Sequence, residues 1–310
     1  MERANKSLVT EFILVGLSNY PWAQAMFFWL LLLIYLVTLL GNGLILAMIW
    51  ADPQLHTPMY FFLSNLSFLD ICYSSISAPQ MLANCFRDRP TISFANCYTQ
   101  MMVSLYLGVT ECLLLAVMAY DRFVAICKPL RYTLIMSRRV CIQMVVSAWT
   151  SAFLLTVIPT FAFPLQFCGP NIINHFSCEA LAMLKLACSD THLNLIVMFS
   201  SGVLTLLMPF TFILVTYIRI GMVMLRIRSA QGRSRAVSTC SSHMTVVSIF
   251  YGTAISMYIR PQAKSASDQD KLIAVFYGLV TPMLNPLIYS LRNKDVQRAL
   301  RKMAGNKMPV

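Results

Sequence analysis

The sequence predicts an all-α integral membrane protein, a seven-transmembrane helix bundle with a short amphipathic C-terminal helix, and three observations carry that expectation. Apolar residues fill 58% of the 310 positions and charged residues only 12%, where a soluble domain has about 45–50% and about 25%. Seven apolar stretches are each long enough to cross about 30 Å of hydrocarbon at about 1.5 Å per helical residue. Lysine and arginine collect in alternate connections, the bias that orients a polytopic chain. So apolar a chain cannot cover a water-facing surface with polar groups and needs lipid as a second solvent.

Taken in order, residues 1–25 form a short polar arm whose Asn5-Lys6-Ser7 is a glycosylation acceptor, a modification confined to segments exposed outside the cell. The same pattern at Asn65 falls inside a span and is out of reach. The first span, 26–50, contains no charge. It is too long for a signal-peptide core and is expected to act as an uncleaved anchor. Further spans are expected at 58–82, 98–126, 141–164, 193–219, 236–259 and 271–291. Pro58, Pro79, Pro159, Pro209, Pro282 and Pro286 fall in or beside them, tolerable because neighbouring helices can satisfy the freed carbonyls. The bundle thus covers 26–291 and a tail follows at 292–310; without repeats or long linkers, 1–310 reads as one domain. From Arg292 to Lys302 the tail mixes bases with Val296, Ala299, Leu300 and Met303, a pattern suited to a helix lying on the membrane face.

Sixteen of the 24 Lys and Arg lie in 121–140, 219–235 and 292–310. These segments are therefore expected to be cytoplasmic, and the N-terminus outside. The net charge of +12 is this topology bias and calls for no nucleic-acid partner. Cys97, Cys168, Cys178 and Cys188 fall on the outer, oxidising side, where four thiols allow three pairings. Cys85 is a candidate free thiol; Cys72, Cys112, Cys127, Cys141 and Cys240 suit ordinary packing. The long connection 165–192, with three of the outer cysteines, is expected to drape over the outer mouth.

Several polar groups are costly where they stand. Asp70 and Glu111 lie inside apolar spans, where an ionised group costs at least about 2.5–3.5 kcal/mol. They are expected to face inward and build a polar site with Asn42 and Asn285. Asp121-Arg122 ends the third span, where the arginine can pair with its neighbour or swing toward an incoming protein. Asn285-Pro286 with Tyr289 combines a helix breaker and hydrogen-bonding groups, a kink with two arrangements. His56, His175, His192 and His243 are scattered, so neither a metal spacing nor a nucleophile–base pair emerges, and no enzyme is expected. A retinal pump would need a lysine in the seventh span, and 272–291 has none. A transporter would need paired Gly/Pro-interrupted halves, which are not seen.

Four segments carry a resemblance. Leu55-His-Thr-Pro-Met-Tyr-Phe-Phe-Leu-Ser-Asn-Leu-Ser-Phe-Leu-Asp70, Met118-Ala-Tyr-Asp-Arg-Phe-Val-Ala-Ile-Cys-Lys-Pro-Leu-Arg-Tyr132, Ser238-Thr-Cys-Ser-Ser-His243 and Pro282-Met-Leu-Asn-Pro-Leu-Ile-Tyr-Ser-Leu-Arg-Asn293 occur in register with the expected topology. Together the chain resembles the odorant receptor family of rhodopsin-like G-protein-coupled receptors from its first span to its last. Phe123, Thr216 and Arg235 depart from the family's usual Tyr, Ser and Lys.

The resemblance implies a plasma-membrane receptor for a small volatile odorant that activates a stimulatory, olfactory-type heterotrimeric G protein and raises cyclic AMP. It implies the pairings Cys97–Cys178 and Cys168–Cys188. Asp121, Arg122, Tyr217, His243, Asn285, Pro286 and Tyr289 are the implied coupling machinery. It implies no cofactor beyond a sodium ion at Asp70, Glu111 and Asn285. On the third helix Met101, Ser104, Leu105, Gly108 and Val109 share one face at three- and four-residue spacing. The family places opposite them Met198, Ser201 and Thr205, then Tyr251, Ile255 and Tyr258, then Val275 and Gly278. None of these is charged, so the expected ligand is small, neutral and mostly hydrophobic. Its affinity is expected to be micromolar, about 8 kcal/mol. A receptor for a non-odorant small molecule is the alternative. Ser104 stands where amine receptors of similar fold carry an acid, so a cationic amine would lack its anchor.

Overall fold

The computed structural model describes residues 9–15, 21–87, 89–169, 171–226, 229–258, 268–292 and 294–303. Seven long helices pack side by side: α1 (Pro21–Ala51), α2 (Pro58–Asn84), α3 (Phe94–Cys127), α4 (Arg138–Ala162), α5 (His192–Gly202, continuing through Val203–Leu207 into Met208–Arg226), α6 (Ala230–Tyr258) and α7 (Asp268–Val275, Phe276–Val280, Thr281–Arg292). A short α8 (Lys294–Met303) follows.

Each helix sorts its residues by solvent. On α1, Thr38 and Asn42 are fully buried while Trp29 is 65% and Leu40 72% exposed, the reverse of a water-soluble helix and the arrangement lipid requires. Phe199 and Ile218 on α5 are likewise exposed. By length and hydropathy α1, α3, α4, α5 and α7 each contain a membrane span. Helices α2 and α6 are of comparable length but carry more polar side chains, many of them turned into the bundle: Asp70 and Ser74 on α2, Ser242 and His243 on α6. The ends follow local rules. Pro58 opens α2 at a position where no N–H is needed, and Ser93 caps α3 by accepting from the Asn96 N–H at 3.3 Å. All seven expected spans are helices, with boundaries moved by up to several residues.

The prolines are accommodated partly by a neighbouring helix, as expected, and partly by a change of helix geometry. In α5 and α7 the turns Val203–Leu207 and Phe276–Val280 are π-helical and immediately precede Pro209 and Pro282. The wider turn makes room for a ring that would otherwise clash with a carbonyl one turn back. In α7 the hydroxyl of Thr281 donates to the Phe276 carbonyl at 3.1 Å, and Asn42 of α1 donates to the Pro282 carbonyl at 3.1 Å.

The N-terminal arm is not simply polar. Residues Glu11–Leu14 form β1, antiparallel to β2 (Thr91–Ser93) and parallel to β3 (Ile172–Ile173). Phe12 and Leu14 point inward, 0% and 1% exposed, into a cluster with Ile92, Phe167, Ile173 and Met183. Phe12 meets Phe167 edge-on at 5.4 Å. This sheet marks one end of the bundle, the sheet end; Arg122 lies at the other. Asn5 lies outside the described residues. Asn65 donates to the Phe61 carbonyl within α2.

The α4–α5 connection carries β3 and a short helix, Ala180–Leu186. It is fastened by Cys97–Cys178, with Cα atoms 5.4 Å apart, and by Cys168–Cys188 at 6.0 Å. Cys97 and Cys178 are buried in the cluster beneath β1, and their bond spans 81 residues; Cys168–Cys188 closes only 20 near the surface. Cys97→Ser is therefore expected to cost about 2–5 kcal/mol and most of the folded receptor. Cys168→Ser should cost less. Surface immunostaining of the two variants side by side checks the order, and equal losses would contradict it.

At the far end α8 buries Val296 and Ala299, 2% and 3% exposed, against the bundle core, with Arg298 and Arg301 outward.

Candidate functional site

Three layers of polar and cavity-lining residues run from the sheet end to the Arg122 end. The first is a cavity of about 220 Å³, below the roughly 300–1,000 Å³ of many small-molecule sites. Met101, Ser104, Leu105, Gly108 and Val109 of α3, Met198, Ser201 and Thr205 of α5, and Gly278 of α7 all line it. Phe176, Cys178, Glu179 and Leu184 of the α4–α5 connection cover it.

Three expected residues are placed otherwise. Tyr251 is fully buried beneath the cavity, its hydroxyl donating to the Cys112 carbonyl at 3.1 Å and its ring against Phe210 at 5.0 Å. Ile255 packs on the central core. One turn higher, Ala254 and Met257 take the lining positions of α6. Val275 packs with the cluster of Leu31 and Ile34 on α1, while Ala274, Tyr277 and Gly278, at i, i+3 and i+4, are the α7 residues nearest it that line the cavity. The Tyr258 side chain lies outside the described residues.

Helix α2 also contributes, a contribution the sequence reading omitted: Tyr73, Ser77 and Met81 line the cavity. Their i, i+4, i+8 spacing was a usable sign. The hydroxyls of Ser77 and Ser104 hold no hydrogen-bond partner among the described residues. Those of Ser201 and Thr205 donate to carbonyls of their own helix and retain free lone pairs. Glu179 is an acid at this cavity, which an uncharged lining did not anticipate. His175 Nδ1 lies 3.2 Å from the Ser177 nitrogen and 3.1 Å from the Ser177 carbonyl oxygen, and its Nε2 is 3.6 Å from Glu179 Oε1. At the floor, a Cβ built on Gly108 would stand 2.6 Å from the Tyr277 hydroxyl. Tyr277 is held by Tyr73 and Phe250, ring centroids 5.7 and 5.5 Å away.

The second layer is buried and polar. Asn285 Nδ2 donates to both oxygens of Asp70 at 3.1 Å, and Asn42 Nδ2 donates to the Thr38 carbonyl at 3.0 Å. Glu111 lies within electrostatic reach of Asp70, and neither carboxyl forms an ion pair among the described residues. Asn42 Oδ1, Glu111 Oε1, Asn285 Oδ1 and the Tyr289 hydroxyl are buried without a hydrogen-bond partner among the described residues. Orphaned oxygens around two buried acids fit a small hard cation, which takes oxygen ligands. No group of three His, Cys, Asp or Glu suited to a transition metal occurs among the described residues.

In the third layer Arg122 pairs with Asp121 through Nε and Nη2, and the Tyr132 hydroxyl donates to the other Asp121 oxygen at 2.7 Å. Burial and the neighbouring Asp121 charge push the Tyr132 phenol above its ordinary range. Tyr217, part of the implied coupling machinery, stacks on His243 with their hydroxyl and Nδ1 2.8 Å apart. His243 Nε2 reaches the Leu115 carbonyl at 3.2 Å, so one imidazole joins α3, α5 and α6. Pro286 packs on Gly41, where an added Cβ would meet its ring at 2.9 Å.

The helix order and the loop fastened over a cavity define a seven-helix membrane protein of the rhodopsin fold: the crystal structure of squid rhodopsin superposes with a TM-score of 0.74 at 18% identity, over 92% of this chain and 81% of that one. A family model described as olfactory receptor matches residues 31–307. Among curated proteins, olfactory receptor 13H1 of Homo sapiens is 56% identical over 303 residues, 98% of each chain. Olfactory receptor 8U3 of Mus musculus is 50% identical over 303 residues, 97% of this chain and 95% of that one. The chain belongs to the olfactory receptor family, and is a G-protein-coupled receptor rather than an enzyme.

Proposed function

We propose that the chain binds a small, neutral, mostly hydrophobic volatile in the cavity under the α4–α5 connection and activates a stimulatory olfactory-type G protein, raising cyclic AMP. The observation that carries this reading is the lining, in which apolar side chains alternate with uncharged polar ones, hydroxyls and the Asn194 amide, and whose one acid, Glu179, lies 3.6 Å from His175 Nε2. A charged ligand would shed water there without a free counter-ion, at a cost of several kcal/mol. In this reading the sheet end faces outside the cell and the Arg122 end the cytoplasm, in agreement with the basic connections on that side.

Neighbouring residues offer a route inward. Cys112 is in the cavity wall and accepts from Tyr251, while Glu111 beside it belongs to the polar layer. A ligand that shifts α6 at Ala254 and Met257 would work on the Tyr251 contact and, further along the same helix, on His243. Separating His243 from Tyr217 and Leu115 releases α6 from α3 and α5, which opens the end where Arg122 waits. A sodium ion at Asp70, Glu111 and Asn285 would supply positive charge to the two acids; no other cofactor is called for.

The test is a panel of volatiles on cells expressing the chain with an olfactory-type G protein, reading cyclic AMP. An alcohol, aldehyde, ketone or ester is expected to be most potent, at micromolar concentration. A carboxylate or amine as best agonist would overturn the ligand class, and a ligand that binds without raising cyclic AMP would overturn the coupling.

A further inference from the structure

A second hollow lies outside the bundle, on the lipid-facing surface between α3, α4 and α5 toward the Arg122 end. It has a volume of about 540 Å³ and is walled by Leu113, Val117 and Tyr120 of α3, Met144 and Ala148 of α4 and Phe212 of α5. Along its α4 side run Gln143, Ser147 and Ser151. With Arg139 these stand four residues apart in succession, so they form one ridge. Arg139, Gln143 and Ser147 are exposed, and the Gln143 amide and Ser147 hydroxyl have no hydrogen-bond partner among the described residues. In hydrocarbon a bare amide is costly, so this surface is built for something other than plain acyl chains.

The mouth of the groove says what that is. Helix α4 begins at Arg138, with Arg138 and Arg139 exposed in its first turn, no acid there, and no side chain capping its N–H groups. Two cations at the positive end of a helix dipole are an unfavourable pairing unless an anion sits among them. The free N–H groups and both guanidiniums instead suit a phosphate. From Arg139 to Ser151 is about 18 Å of helix, close to one leaflet of a roughly 30 Å core. We propose that the groove holds one anionic phospholipid: its phosphate on the first turn of α4, its ester carbonyls accepting from Gln143, and one acyl chain along Ser147 and Ser151. A sterol would use Gln143 but leave both arginines unanswered.

Native mass spectrometry of the intact receptor in detergent, mixed with equal amounts of phosphatidylserine, phosphatidylcholine and cholesterol, tests this. The readout is the ratio of phosphatidylserine to phosphatidylcholine adducts, which a general loss of folded protein does not change. Wild type should favour phosphatidylserine. Arg139→Ala should lower that ratio about fivefold, Gln143→Leu should lower it less, and Ser147→Phe, which fills the exposed groove, should remove the first bound lipid. The proposal is overturned if the ratio is near one in wild type or unmoved by all three variants. It is equally overturned if cholesterol is the adduct lost in Gln143→Leu, or if that variant converts a dimer to a monomer, which would make the ridge a contact between two copies.

Discussion

Arg122→Ala is expected to abolish cyclic AMP output at every agonist concentration while surface expression and ligand occupancy stay near wild type. Arg122 lies far from the cavity, which is lined near the sheet end, and its contacts are with Asp121 at the opposite end of α3. Its loss therefore should not affect ligand entry. What is removed is a cation held by a buried acid, a pairing that can be exchanged for contacts with an incoming protein. The structure adds a converse. Tyr132 shares the grip on Asp121, so Tyr132→Phe should loosen it and raise basal output. Normal agonist-driven output from Arg122→Ala at normal surface expression would refute the role assigned to it.

At the cavity floor, Gly108→Ala alone should raise the half-maximal agonist concentration by about tenfold or more, and Gly108→Leu should abolish the response. The reason is local: an added Cβ meets the Tyr277 hydroxyl at 2.6 Å, but the next Tyr277 atom only at 3.8 Å. Overpacking of that kind costs about 1–3 kcal/mol, and moving Tyr277 aside would disturb its ring contacts with Tyr73 and Phe250. Tyr277→Phe removes the clashing oxygen and leaves an ordinary contact. The double variant Gly108→Ala with Tyr277→Phe should therefore respond better than Gly108→Ala, a non-additivity expected of touching residues. Dose–response curves corrected for surface expression measure it. Additive losses would show that the two residues do not meet.

The spans were legible because lipid makes composition decisive: a 25-residue run without charge has few alternatives, and buried Asp70, Asn42 and Asn285 had to turn inward. The α3 face of the cavity was legible from helical spacing alone. On α7 the family resemblance placed Val275 at the cavity, but it packs with Leu31 and Ile34, and its neighbour Ala274 shares the lining face with Tyr277 and Gly278. Glu179 was overlooked because the reach of a loop is set by its fastenings and not by periodicity. The strand Glu11–Leu14 does alternate, with Phe12 and Leu14 inward, but four residues are too short a signal when the partners lie some 80 and 160 positions further along.

That last spacing has a consequence for biosynthesis. Strand β1 is completed by pairing with residues 91–93 and 171–173, so during translation Phe12 and Leu14 have no cluster to enter until α3 and the α4–α5 connection have emerged. Pairings that distant are slow to form and leave apolar side chains uncovered meanwhile. A nascent chain stalled before residue 171 should thus display its N-terminal segment to chaperones and proteases, and protection of that segment would report that the first four helices and their covering loop have come together.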